Sequence, residues 1–217
     1  MSRPPAIIGI GRNYAKHAAE LGNDRPAHPL VFYKNPASIC GNGEDIVLPA
    51  TLGTPSLGVD YEGELAVILG SDTRDVARGE AFACVSHFAV ANDVSHRWWQ
   101  WEGSGGQFCR GKSFDSFCPM SEPVVASAVD DPQSLRIRTT LNGAVVQDDS
   151  TSQMLFPIDE LISELSRSTT LLAGTIILTG TPAGVGAAKD PPQFLKAGDL
   201  LEVEIEQVGL LRNRVVA

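Results

Sequence analysis

The apolar residues of this chain come in short runs rich in valine and isoleucine, and those runs are repeatedly cut by 21 glycines and 14 prolines. A glycine inside a helix costs about 1 kcal/mol and a proline about 3 kcal/mol, so punctuation this dense excludes a helical bundle and favours many short strands. The sequence predicts an α+β class that is mainly β. Strands are expected near Ile7 to Ile8, Val31 to Tyr33, Val59 to Leu69, Ser86 to Val94, Leu135 to Leu141, Ala144 to Gln147, Thr175 to Thr179, Leu201 to Glu206 and Leu210 to Val216. Asn142-Gly143 between two of them is a two-residue hairpin signal. Helices are expected only at Tyr14 to Leu21, with Asn13 as N-cap and Gly22 as stop, and at Ile158 to Ser166, entered through Pro157. With 217 residues, 43% apolar, the chain suffices for one sizeable core, and no repeat or linker divides it, so a single domain over 1–217 is expected.

The formal charge is −9, and no lysine- or arginine-rich block is present to track a phosphate backbone, which argues against nucleic acid as a partner. An acidic protein that binds an anionic substrate needs a local inversion of charge, and a bound cation is the usual device. The four cysteines, Cys40, Cys84, Cys109 and Cys118, form neither a CxxC pair nor a zinc-ribbon spacing and read as reduced thiols. Met1-Ser-Arg-Pro-Pro has no secretory pattern, and no apolar run reaches the roughly 20 residues of a membrane-spanning helix. No membrane association and a reducing, cytoplasmic setting are the expectation.

From Val59 to Leu69, side chains alternating across a strand put Asp60, Glu62 and Glu64 on one face. Like charges in such a row repel unless they are solvated or neutralised by a cation. Asp93, after Phe88-Ala-Val-Ala-Asn92, places a further acid at the end of an apolar strand. Three carboxylates offering only oxygen suit magnesium or manganese, with the remaining octahedral positions left to water and substrate. His17 and Glu20 stand three apart in the first helix and share a face, so the glutamate can orient the imidazole and raise its basicity. His28, His87 and His96 have no comparably placed acid, which makes His17 the candidate base.

Gly106-Gln-Phe-Cys-Arg-Gly-Lys-Ser113 satisfies the phosphate-binding loop pattern letter for letter. A working loop of that kind follows a buried strand and opens a long helix, whereas here a Trp/Gly segment precedes it and Pro119 and Pro123 follow. Lys112 is therefore read as a substrate or oxyanion contact, with a nucleotidase as the distant alternative. Gly9-Ile-Gly-Arg-Asn-Tyr lacks the third glycine of a dinucleotide fingerprint. The segment Arg97 to Lys112, with Trp98, Trp99 and Trp101, is expected to be a loop beside a pocket.

Taken together, these residues resemble the fumarylacetoacetate hydrolase family, in particular its short acylpyruvate hydrolase and oxaloacetate decarboxylase branch. The markers run in family order: Gly11-Arg-Asn-Tyr-Ala-Lys-His17 with Glu20, Asp60-Tyr-Glu-Gly-Glu-Leu65, Ala91-Asn-Asp-Val-Ser95, Gly111-Lys-Ser-Phe-Asp115, Ile177-Leu-Thr-Gly-Thr-Pro182 and Gly209-Leu-Leu-Arg-Asn213. The resemblance implies a mixed β-roll with a few short peripheral helices, usually dimeric. It implies Glu62, Glu64 and Asp93 as ligands of Mg2+ or Mn2+, with Ca2+ as an occupant in crystals. It further implies His17, Glu20 and Lys112 as catalytic groups, and Arg12, Arg97, Gln100 and Thr181 as substrate-facing. After Ser95 the family often has a small residue, Arg, Asp, an apolar residue and Gln; here His96-Arg-Trp-Trp-Gln100 puts Trp98 in the place of the acid.

The implied substrate is a small anionic 2-oxo acid whose carboxylate and oxo oxygens chelate the ion, which then stabilises the enolate. The leading expectation is hydrolysis of a C–C bond in an acylpyruvate or fumarylpyruvate, with His17 activating water and Lys112 stabilising the oxyanion. Decarboxylation of oxaloacetate, or isomerisation or hydration of hydroxymuconate-type dienoic acids in aromatic catabolism, uses the same enolate and stays open. A non-catalytic binding protein would be expected to have lost His17 and Glu20, and both are present.

Overall fold

The protein is described from a computed structural model, over residues 3–50 and 57–217. Met1 and Ser2, part of the opening read above, lie outside the described residues. Mixed sheets with few helices form the architecture, as the glycine and proline punctuation implied.

One sheet has eight strands, in the order Leu30–Lys34, Ile7–Gly11, Ile176–Leu178, Gly63–Leu69, Val85–Asn92, Cys118–Met120 and Ile39–Gly41, with Val124–Val125 paired off the path to Val85–Asn92. The second has five: Ala144–Ser150, Arg136–Leu141, Leu200–Ile205, Gly209–Val216 and Ile46–Val47. Both are mixed, since Ile7 pairs with Ile176, Ile39 with Cys118 and Val215 with Ile46 in parallel. Asn142 and Gly143 both take positive φ, 52° and 81°, as a tight hairpin between right-twisted strands demands.

Alternation along Gly63–Leu69 explains how the sheets stack. Leu65, Val67 and Leu69 join Val90, Ile137, Val203 and Leu211 in the core between the sheets, while Ala66 faces the other way among Ala89, Ala91, Cys118 and Leu178. Gly63 sits directly against the second sheet: a Cβ there would fall 2.3 Å from Thr139 Oγ1 and 3.0 Å from Val203 Cγ1. The glycine between Glu62 and Glu64 is thus set by sheet contact.

Some elements differ from expectation. The run Val59 to Leu69 is two strands, Val59–Asp60 and Gly63–Leu69, broken at Tyr61 and Glu62. The first helix covers Ala15–Glu20 with Tyr14 at its N-cap. Asn13 does not cap it, because its amide is spent elsewhere: Nδ2 donates to the carbonyls of Phe156 and Thr179, and Oδ1 accepts from Phe156 N–H. The second helix matches Ile158–Ser166 behind Pro157. The segment 97–112 is partly helical, at Arg97–Gln100 and Phe108–Gly111, and these turns touch so closely that a Cβ on Gly111 would lie 2.5 Å from Gln100 N. Gly111 serves that contact, and the next element after Lys112 is the strand Cys118–Met120, not a helix. No described helix is long and apolar enough to cross a membrane.

Candidate active site

The three candidate metal ligands come from the ends of two neighbouring strands. Gly63 pairs with Asn92 and Glu64 with Ala91, and Asp93 N–H donates to the Glu62 carbonyl at 2.8 Å, so the ladder continues one step past the strand ends. Asn92 secures the turn by accepting Glu62 N–H at 2.9 Å. One carboxylate oxygen each of Glu62, Glu64 and Asp93 thereby falls within 4.8 Å of the others, all three side chains buried. Asp60 does not join them. Its oxygens accept from Tyr61, Gly186 and Ala187 N–H and from Arg97 Nε and Nη2, a structural anchor with no lone pair to spare for an ion.

Cations interleave with these acids. Lys112 Nζ donates to Glu62 Oε2 at 2.8 Å, Asp93 Oδ2 at 2.5 Å and Ser95 Oγ at 2.6 Å, and Arg97 Nη1 reaches Glu62 Oε1 at 2.7 Å and Gln100 Oε1 at 2.8 Å. Burial disfavours the ionised form of Glu62, but Lys112 and Arg97 outweigh it and hold that carboxyl well below its usual range. Burial likewise opposes the charge on Lys112, and Asp93 and Glu62 outweigh it. Glu64 makes no ion pair: burial, then the charges of Asp93 and Glu62, push its carboxyl well above the ordinary value, against the charge of Lys112 and one backbone bond from Gly180 N–H at 2.7 Å. A divalent ion would relieve that repulsion, and its all-oxygen donor set fits Mg2+ or Mn2+. The residues present fit the group the family implies.

Across the cavity, His17 Nδ1 lies 2.7 Å from Glu20 Oε1, and Glu20 Oε2 accepts from Gly184 N–H at 2.8 Å. A carboxylate on Nδ1 favours the tautomer protonated there and leaves Nε2 as the acceptor. His17, Glu62, Glu64, Lys112, Arg97, Gln100, Thr181 and Arg12 line one cavity of about 340 Å³, together with Ile10, Gly11, Leu21, Asn23, Trp101 and Phe108. Glu20 and Asp93 stand behind this wall, bonded to residues in it. The Thr181 hydroxyl donates to Gly63 O at 2.9 Å and accepts from Gln147 at 2.7 Å, so it also clamps the strand carrying the glutamates. Trp98 packs edge-on to Trp99 at 4.6 Å, and Trp99 carries the Arg110 guanidinium at 4.3 Å, contacts that tie the two short helical turns of this segment together.

Lys34 escaped the sequence reading. Its side chain is 0% exposed, and Nζ donates to Asp93 Oδ1 at 2.6 Å and to the Lys112 carbonyl. The signal was present: Lys34 shares the face of buried Phe32 on Leu30–Lys34, so alternation sends it inward.

Mixed sheets thus carry a buried carboxylate triad that could hold a divalent ion, and a His–Glu dyad whose histidine lines the same cavity as Glu62 and Glu64. Residues 6–216 match the fumarylacetoacetate (FAA) hydrolase C-terminal family, and the chain belongs to that family. Among relatives, the mitochondrial oxaloacetate tautomerase FAHD2A of Bos taurus is 42% identical over 217 residues, 100% of this chain and 68% of that protein. The oxaloacetate tautomerase YisK of Bacillus subtilis is 42% identical over 212 residues, 96% of this chain and 69% of that protein. The solved fumarylacetoacetate hydrolase of Exiguobacterium antarcticum superposes with a TM-score of 0.88 at 40% identity, covering 99% of this chain and 76% of that one.

Proposed function

We propose that this chain is a divalent-metal-dependent enzyme that moves a proton on a small 2-oxo acid, with keto–enol tautomerisation of an oxaloacetate-type acid as its reaction. The observation that carries this reading is the His17–Glu20 dyad facing Glu62, Glu64 and Lys112 across one small cavity. A bound Mg2+ or Mn2+, held by Glu62, Glu64 and Asp93, would polarise the 2-oxo group and disperse the charge that develops on its oxygen. His17 Nε2 takes a proton from the carbon next to the oxo carbon, and the electron pair left behind forms the C–C double bond of the enol. Glu20 stabilises the imidazolium that forms and is itself held by Gly184 N–H. Returning the proton to oxygen or carbon completes the exchange without any other reactant.

The names of the relatives favour tautomerisation over the hydrolysis expected from the sequence resemblance. Tautomerisation also asks less of the site, since it needs one base and no attacking water. Hydrolysis of an acylpyruvate is the second reading, supported by the same dyad, with His17 then activating water. The test follows enol decay of oxaloacetate above the buffer rate, with Mg2+ or Mn2+ and after chelation, in the wild type and in His17→Ala. Removing the base should cost about a hundred- to ten-thousand-fold. An undiminished rate in thoroughly demetallated protein, or in His17→Ala, would refute the reading. Acylpyruvate cleavage with no oxaloacetate turnover would move the assignment to hydrolysis.

A further inference from the structure

We infer that Arg12 receives a second carboxylate of the substrate, so that the chain selects 2-oxo dicarboxylates over 2-oxo acids with a neutral tail. This rests on the proton-transfer reading above and narrows its substrate class.

The cavity contains three permanent or near-permanent cations, and two of them are committed. Arg97 is bound by Asp60 and Glu62, and Lys112 by Glu62, Asp93 and Ser95. Arg12 is half-buried, lines the same cavity, and makes no side-chain hydrogen bond or ion pair with any described residue. A guanidinium partly withdrawn from water without an acid is costly to keep and matches a planar carboxylate through paired N–H donors. Ile10, Leu21 and Phe108 also line the cavity, and these apolar walls strengthen a charge pair formed there.

The backbone adds an independent sign. Arg12 takes φ 57°, a left-handed conformation uncommon in residues other than glycine, asparagine and aspartate. It is held there by its neighbour, because Asn13 is fastened at its side chain to Phe156 and Thr179 and at its carbonyl by Leu155 N–H. Strain maintained by a rigid anchor at a cavity wall is the pattern expected of a residue placed for a ligand.

Strand order separates the two ends of the site. Arg12 and His17 both follow the strand Ile7–Gly11, whereas the acidic cluster stands at the adjoining ends of Gly63–Leu69 and Val85–Asn92, with Ile176–Leu178 between. A four-carbon dicarboxylate with its 2-oxo acid end at the cluster and its far carboxylate at Arg12 has one carbon between them. That carbon is the one from which His17 takes the proton, so Arg12 both selects the substrate and presents its reacting carbon.

The experiment uses Mn2+-loaded wild type, Arg12→Gln and Arg12→Lys. Calorimetry compares L-malate with L-lactate, which share a 2-hydroxy acid head and differ in the far carboxylate. Tautomerisation of oxaloacetate is compared with that of phenylpyruvate, whose tail is neutral. The wild type should prefer malate, and Arg12→Gln should lower both preference ratios by about tenfold or more, with partial recovery in Arg12→Lys. Equal loss on both members of each pair, or no loss, overturns the assignment to Arg12. Absence of any malate preference in the wild type does the same. If the wild type accelerates neither tautomerisation yet shows an Arg12-dependent malate preference, the proton-transfer reading fails while the carboxylate site stands.

Discussion

Replacing Lys34 by methionine keeps most of the side-chain volume and removes the charge, leaving Asp93 Oδ1 and the Lys112 carbonyl without the donor they now share. Breaking a buried ion pair from one side typically costs about 3–5 kcal/mol, because the remaining charge stays out of water without compensation. Both side chains of this pair are 0% exposed, so solvent screening gives no discount. Asp93 keeps a bond to Lys112 through Oδ2, which places the expected loss near the lower end, about 3 kcal/mol. For a domain of this size about 2–4 °C of Tm follows each kcal/mol, so Lys34→Met should lower Tm by roughly 6–12 °C. Scanning calorimetry in chelator removes any contribution from bound metal. Asp93→Asn and the double variant complete a cycle. The double variant should be less destabilised than the sum of the singles by about 1–3 kcal/mol, because the uncompensated carboxylate is then gone. A fall in Tm below about 2 °C for Lys34→Met, or strict additivity in the cycle, would refute the claim that Lys34 neutralises Asp93.

Gly63→Ala should destabilise by about 1–3 kcal/mol in a denaturant titration, since its Cβ meets Thr139 and Val203 across the sheet interface. The same change should weaken Mn2+ binding read by calorimetry, because Glu62 and Glu64 flank the displaced position. Thiol labelling of the native protein near neutral pH should be confined at first to exposed Cys109. Cys40 and Cys118 are buried, and that burial, aided at Cys40 by Cys118 and opposed at Cys118 by Lys34, pushes each thiol up to about 12. Rapid labelling of Cys118 before unfolding would contradict the packing of that strand.

How much of this molecule could be read from its sequence depended on whether a residue's role was local. The hairpin at Asn142-Gly143 and the helix behind Pro157 are fixed by neighbours in the chain, and both were legible. The dyad is equally local, with His17 and Glu20 three apart on one helix, and it stands at 2.7 Å as spacing suggested. Alternation along Val59 to Leu69 put Asp60 in the same row as the glutamates, and the break at Tyr61 and Glu62 undid this: Asp60 turned instead to Arg97 and the N–H groups of Gly186 and Ala187. A strand break of that kind depends on partners 37 to 127 residues away, which no window of sequence contains. Asn13 fell to the same cause, its capping amide drawn off by Phe156 and Thr179. Lys34 is the instructive case, because alternation did send it inward beside Phe32 while the reason to bury a lysine lay on the strand ending at Asn92. An inward-facing charge on an otherwise ordinary strand is costly unless it is paired, so it signals an acid elsewhere in the fold. Here that acid was Asp93, and the lysine set opposite it leaves the three-carboxylate cluster part-neutralised by the protein itself before any ion enters.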